Sequence, residues 1–300
     1  MITKELWGKT PSGEEIYLYT LTNSKGAYVK VSSVGAGIVE VVVPDKDGAL
    51  ADVVLGYPEA ASYFGDGPCS GKVPGRYANR VALGKFTLDG VEYSLPINNG
   101  PNHLHGGPEG FQNKVWESRE HEGGVEFLYY SEAGEQGYPG AVKTVARYDW
   151  SEDCELRLTL TAESDAPTVI NLTNHAYFNL NGEGNGDILG HVLRMNASEY
   201  LPTDQTQIPL GESEPVAGTP MDFVNGKPIG QDINADFEPL KIGKGYDHCW
   251  VIDGAEPGQL QFCAELYAPE SGRCLEIYTT QPGVQVYTGN WLSGCPAGKN

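Results

Sequence analysis

Glu155-Leu156-Arg157-Leu158-Thr159-Leu160 alternates polar and apolar side chains without a break, and Ile16-Tyr17-Leu18-Tyr19-Thr20-Leu21 and Val29-Lys30-Val31 carry the same period of two. Successive side chains leave a strand on opposite faces, so this alternation predicts half-buried β-strands. Outward from these runs, turn signals recur: Pro44-Asp45-Lys46-Asp47-Gly48, Leu88-Asp89-Gly90 and Gly137-Tyr138-Pro139-Gly140. With 39 Gly and 20 Pro in 300 residues, few gaps remain for long helices. Many short strands cut by such turns predict an all-β chain with little helix, its sheets stacked face to face as a β-sandwich. No low-complexity linker, charge block or fixed-period repeat divides residues 1–300, which read as a single domain.

The formal net charge of −20 repels phosphate backbones and anionic lipid, so no nucleic-acid partner and no membrane partner is expected. A neutral ligand such as a sugar meets no such repulsion. The start, MITKELWGKTPSG, lacks the apolar stretch of a signal peptide, and no run of 18 apolar residues occurs, so a cytoplasmic location is expected. Six scattered cysteines without a CxxC pair argue against a structural zinc site and a dense disulfide framework.

Three of the six histidines sit in Asn- and Gly-rich settings, within Asn98-Asn99-Gly100-Pro101-Asn102-His103-Leu104-His105-Gly106-Gly107 and Asn171-Leu172-Thr173-Asn174-His175-Ala176-Tyr177. Histidine both gives and takes a proton near neutral pH, which makes His175 a candidate acid/base. The spacing fits equally a histidine at a strand end satisfied by a backbone hydrogen bond. His103 and His105 would share one face of an extended segment, as two metal ligands can, but no third ligand stands at recognisable spacing. No metal is therefore expected, and hydrogen bonding is the task assigned to them.

Gly75-Arg76-Tyr77-Ala78-Asn79-Arg80 places two guanidinium forks and an amide after a Gly/Pro-rich loop, a donor and acceptor set that suits a polyhydroxylated ligand, although exposed arginines more often serve a surface salt bridge or a turn. Asp247, in Tyr246-Asp247-His248, could accept two hydroxyls or cap its own backbone. Gln281, in Thr279-Thr280-Gln281-Pro282-Gly283, offers an amide at a strand-to-turn junction. There is no GxGxxG, Walker loop or GxSxG elbow, so nucleotide and acyl-transfer chemistry drop out.

In sequence order these segments resemble the aldose 1-epimerase (galactose mutarotase) family across nearly the whole chain. The resemblance begins at Trp7-Gly8 and Gly35-Ala36, passes Val43-Pro44-Asp45 and Val54-Leu55-Gly56, and includes Tyr200-Leu201-Pro202 and Gly218-Thr219-Pro220-Met221-Asp222-Phe223. It implies a large antiparallel β-sandwich that interconverts the anomers of a free hexose without a cofactor, acting as a monomer or homodimer on a small-molecule aldose. By the same resemblance His175 is the general acid at the ring oxygen, while Asn79, Arg80, His105, Asp247 and Gln281 bind the sugar. The family's base, a glutamate in a Leu-Glu-Thr-Gln-like strand, would follow the Tyr287-Thr288-Gly289-Asn290 segment, and residue 300 precedes it. Continuation of the natural protein past that point is the expectation here. A sugar-binding protein without turnover is the alternative. Glu276, in Cys274-Leu275-Glu276-Ile277-Tyr278, comes before Gln281 and is not assigned as the base.

Overall fold

The computed structural model describes residues 1–300. The chain gathers into two compact units, one of Met1–Pro44, Ala49–Phe178 and Gly294–Asn300, the other of Asp45–Gly48 and Asn179–Ser293.

In the first unit, β1 (Ile2–Lys9), β2 (Glu15–Thr22), β3 (Tyr28–Ser32), β4 (Gly37–Pro44) and β5 (Leu50–Asp52) form an antiparallel sheet in chain order. Two small ladders follow: β6 (Arg80–Val81) pairs with β9 (His103–Leu104), and β7 (Lys85–Leu88) pairs with β8 (Val91–Ser94). The second of these closes on Asp89 and Gly90, at φ 51° and 80°, the left-handed pair that a two-residue hairpin turn requires. A second antiparallel sheet contains β10 (Glu117–His121), β11 (Gly124–Ser131), β12 (Val142–Trp150) and β13 (Leu156–Ser164).

These two sheets stack through their buried faces. Tyr19 of β2 meets Phe127 of β11 edge-on at 5.8 Å and hydrogen-bonds Ser118 at 2.8 Å. Tyr148 of β12 donates its hydroxyl to the Ala36 carbonyl at 2.6 Å, and Trp150 Nε1 donates to the Ala27 carbonyl at 3.3 Å. Large aromatics thus supply the apolar area while each polar tip finds a hydrogen-bond partner. β2 departs from the half-buried expectation, with Ile16 and Leu18 buried on one face and Tyr19 and Leu21 on the other, so the strand is covered on both sides; in β13 Leu156, Leu158 and Leu160 are half-covered.

The second unit repeats the plan. β14 (Val192–Met195), β15 (Glu199–Leu201), β16 (Glu214–Pro215), β17 (Lys227–Pro228), β18 (Asp247–Val251), β19 (Gln261–Tyr267), β20 (Cys274–Thr279) and β21 (Gly283–Tyr287) make two four-stranded antiparallel sheets, β17-β14-β19-β20 and β16-β15-β18-β21. Met195, Tyr200, Met221, Phe223, Tyr246, Trp250 and Cys263 fill its core. The one α-helix, α1 (Glu238–Gly243), has six residues and stops at Lys244 in the left-handed region. The all-β sandwich with little helix is therefore what the chain forms. All six cysteines are free, and no helix is long and apolar enough to cross a membrane.

Candidate active site

The Asn171–His175 segment lies along residues 71–78 of the first unit, and main-chain bonds fix both ends. His175 N–H donates to the Lys72 carbonyl at 2.9 Å, and Gly71 N–H donates to the His175 carbonyl at 2.9 Å. At the other end Asn171 N–H donates to Arg76 O at 3.1 Å and Ala78 N–H to Asn171 O at 2.8 Å. The two asparagines of the motif reinforce this pairing: Asn171 Nδ2 donates to Ala78 O at 3.1 Å, and Asn174 Nδ2 donates to Gly71 O at 2.6 Å. Gly71 has a φ of +68°, and a Cβ there would run into the Ile38 carbonyl oxygen, so only glycine lets the backbones approach this closely.

His175 is half-buried, and its ring meets two others. His105 lies 5.2 Å away at 87°, edge to face, and Tyr177 lies 5.1 Å away at 39°. His105 is held by a reciprocal pair: its N–H donates to Asn79 O at 3.1 Å, and Asn79 N–H donates to His105 Nδ1 at 3.0 Å. Gln112 Nε2 adds a bond to the His105 carbonyl at 2.9 Å. Because Nδ1 accepts, the neutral imidazole carries its proton on Nε2. Burial pushes the His105 imidazole well below its ordinary value, and the neighbouring His175 and Arg80 push the same way, so the ring is neutral near pH 7.

Arg80 opens β6, where it sits opposite Leu104 of β9. Its Nε donates to Asn99 Oδ1 at 3.0 Å and its Nη1 to Asn79 Oδ1 at 3.3 Å, so two amides fix the plane of the guanidinium. Of the sequence candidates, Asn79, Arg80, His105 and His175 therefore come together as one contiguous cluster. Asn99, Asn174 and Tyr177, which buttress it, were not singled out from the sequence. Asn99 lies inside an Asn-rich loop with Asn98 and Asn102, and nothing local shows which asparagine faces Arg80.

Two neighbours turn out otherwise. Arg76 is buried, with Nη1 donating to the carbonyls of Pro139 and Gly140, both at 2.7 Å, and Nη2 donating to Ser131 Oγ at 2.6 Å. Its guanidinium is spent on loop carbonyls. His103 is also buried: Nδ1 bonds the Pro96 carbonyl at 2.7 Å and Nε2 bonds Tyr138 OH at 2.7 Å. His105 leaves the strand at φ 52°, so the shared face that an extended segment would give the two rings does not form. No group of three His, Cys, Asp or Glu side chains converges as a metal-ligand set.

Asp247 and Gln281 belong to the second unit. Asp247 opens β18, and its carboxylate accepts two side-chain amides rather than capping its own backbone: Gln285 Nε2 on Oδ1 and Gln207 Nε2 on Oδ2, each at 2.7 Å. The adjacent His248 is buried, its Nδ1 accepts the Asp247 N–H at 3.1 Å, and burial depresses it. Gln281 is exposed in the turn from β20 to β21, with its N–H on Thr279 Oγ1 at 3.1 Å.

The family model described as Aldose 1-epimerase matches residues 17–299. The chain is 42% identical over 298 residues to a galactose mutarotase of Sus scrofa, spanning 99% of this chain and 85% of the relative. It is 36% identical over 288 residues to an aldose 1-epimerase of Escherichia coli K12, spanning 96% and 82%. Among solved structures, a galactose 1-epimerase from Lactobacillus acidophilus NCFM superposes with a TM-score of 0.85 at 30% identity, covering 97% of this chain and 83% of that one. The family match over residues 17–299 and the relatives aligned along nearly the whole chain place it: the chain belongs to the aldose 1-epimerase family.

Proposed function

We propose that this chain interconverts the α and β anomers of a free hexose, glucose or galactose, by acid/base opening and reclosure of the ring, and that residues 1–300 serve as a single epimerase domain. The observation that carries this reading is the pairing of a half-buried His175 with a neutral His105 whose proton is held on Nε2. One imidazole is placed to exchange a proton; the other can only donate a hydrogen bond through that proton.

In the forward direction a base takes the proton from the anomeric hydroxyl and a C1=O1 double bond forms. The C1–O5 bond breaks, its electron pair goes to O5, and His175 supplies the proton that O5 takes up. Rotation about C1–C2 and the reverse sequence close the ring on the other face. Each positioned proton transfer is worth about a hundred- to ten-thousandfold. His105 Nε2–H and the Arg80 guanidinium, with Asn79 beside it, hydrogen-bond the sugar near its ring oxygen and hydroxyls. Asp247 accepts hydroxyl hydrogens, and Gln281 contributes its amide.

Polarimetry of freshly dissolved α-galactose and α-glucose with the full natural chain tests this. Acceleration over buffer that disappears in His175→Ala is the expected result. No acceleration of either sugar overturns the reading.

A further inference from the structure

In the antiparallel pair of β18 and β21, Asp247 lies opposite Tyr287 and Gln285 lies opposite Cys249. Residues two apart on a strand share a face, so Asp247 and Gln285 are diagonal neighbours across the ladder, a gap that a long side chain spans. Gln285 Nε2 accordingly reaches Asp247 Oδ1 at 2.7 Å.

The donor to the other oxygen comes from an unrelated element. Gln207, 40 residues earlier and also at 2.7 Å, stands at φ 63° in a turn that Asp204 ties together. Asp204 Oδ1 accepts the N–H of Thr206 at 2.7 Å, the N–H of Ile208 at 3.0 Å and the Thr206 hydroxyl at 2.8 Å. Main-chain bonds from Gln207 N–H to Asp204 O and from Asp204 N–H to Ile208 O, both at 2.9 Å, close the turn. A strand and a strapped turn therefore aim one amide each at the two oxygens of one carboxylate.

Stability alone does not require this. Asp247 is half-buried and Gln285 is exposed, so water could solvate the carboxylate. An isolated Asp carboxylate is also broadly distributed about its last torsion. Two fixed donors set its plane and use one acceptor position on each oxygen, leaving the others directed toward further donors. An ionised carboxylate only accepts, so both amides must present their nitrogens to it.

We propose that Gln207 and Gln285 are positioning residues that hold the plane of Asp247 so that its two oxygens accept a pair of hydroxyls of the hexose. This rests on the reading of Asp247 as a sugar ligand.

The test compares Asp247→Asn, Gln207→Leu, Gln285→Leu and Gln207→Glu in the full natural chain, with steady-state mutarotation of α-galactose and calorimetric galactose binding. Each Leu variant is expected to raise KM and Kd about tenfold, the effect of losing a hydrogen bond to a charged group, with kcat changed less than about threefold. Gln207→Glu provides a readout that a merely structural role would not move. At neutral pH its carboxylate faces Asp247 and KM rises further. If Asp247→Asn weakens binding while both Leu variants stay within about twofold of wild type, the positioning role is overturned. If Asp247→Asn itself changes neither KM nor Kd, the sugar-ligand reading of Asp247 fails and the proposal fails with it.

Discussion

Asn79 and His105 exchange hydrogen bonds with each other, and both stand in the left-handed region, at φ 67° and 52°. The donor to Nδ1 is a backbone N–H, so no side-chain substitution at residue 79 short of proline removes it. The tautomer of His105 is thus written into the chain path. Nitrogen NMR of the free protein at pH 7 is expected to show an unprotonated Nδ1 and a protonated Nε2 for His105. A doubly protonated ring at pH 7 would contradict the assignment. His105→Leu, which keeps the bulk and loses the donor, should lower kcat/KM by about one to two orders of magnitude, with galactose binding weakened in parallel.

Burial lowers four histidines below their ordinary value: His103, His105, His191 and His248. Below about pH 6.5 the unfolded chain binds protons at these sites that the folded chain refuses. The unfolded state then holds more protons, so stability falls as pH falls, and it levels off above the unfolded value. Urea midpoints measured from pH 7.5 to 5 should drop steadily below about pH 6.5. Replacing His103, whose two nitrogens both bond inside the protein, lets the same series show how much of the slope is its own. Midpoints that rise on acidification through this range would refute the assignment.

Arg76 and Arg80 are four residues apart and are expected to fail differently. Arg76→Met strips the carbonyls of Pro139 and Gly140 and the Ser131 hydroxyl of a buried donor. Each buried acceptor left unsatisfied costs about 1–3 kcal/mol, so the variant should lose several kcal/mol in urea unfolding. Arg80→Met leaves two half-buried amides that water can reach, so its unfolding midpoint should stay near wild type while KM for galactose rises. Equal stability losses in both variants would show the division to be wrong.

The contrast marks where the sequence is legible. Alternation gave β2 and β3 nearly to the residue, and Leu88-Asp89-Gly90 gave a turn, because strand period and turn chemistry are local. The His175 cluster was legible through its motifs. The separate fates of Arg76 and Arg80, and of His103 and His105, were not. Each depends on carbonyls or rings from segments tens of residues away, such as Pro139 for Arg76 and Tyr138 for His103. For the same reason nothing around Asp247 pointed to Gln207.

Beneath His175 lies a buried ion pair whose effect should be measurable in both stability and turnover. Lys72 and Asp66 are almost wholly inaccessible, and Lys72 Nζ lies 2.5 Å from Asp66 Oδ1 and also donates to the Tyr63 carbonyl. Asp66 Oδ2 accepts the Ser70 N–H at 2.9 Å, so the pair ties residues 63–72 into one block. That block supplies the Lys72 carbonyl and the Gly71 N–H that hold the His175 backbone. Lys72→Met leaves Asp66 as an unpaired buried charge, at a cost of about 3–5 kcal/mol. Lys72→Met with Asp66→Asn removes the uncompensated charge and keeps an acceptor for Ser70, so it should regain much of that loss in urea unfolding. The recovered stability should not restore kcat fully, because the tie between Tyr63 and the loop under His175 is still missing. A double variant as unstable as Lys72→Met would show that the lysine stem, rather than its charge, sustains the block, and full recovery of kcat would show that His175 is placed without it.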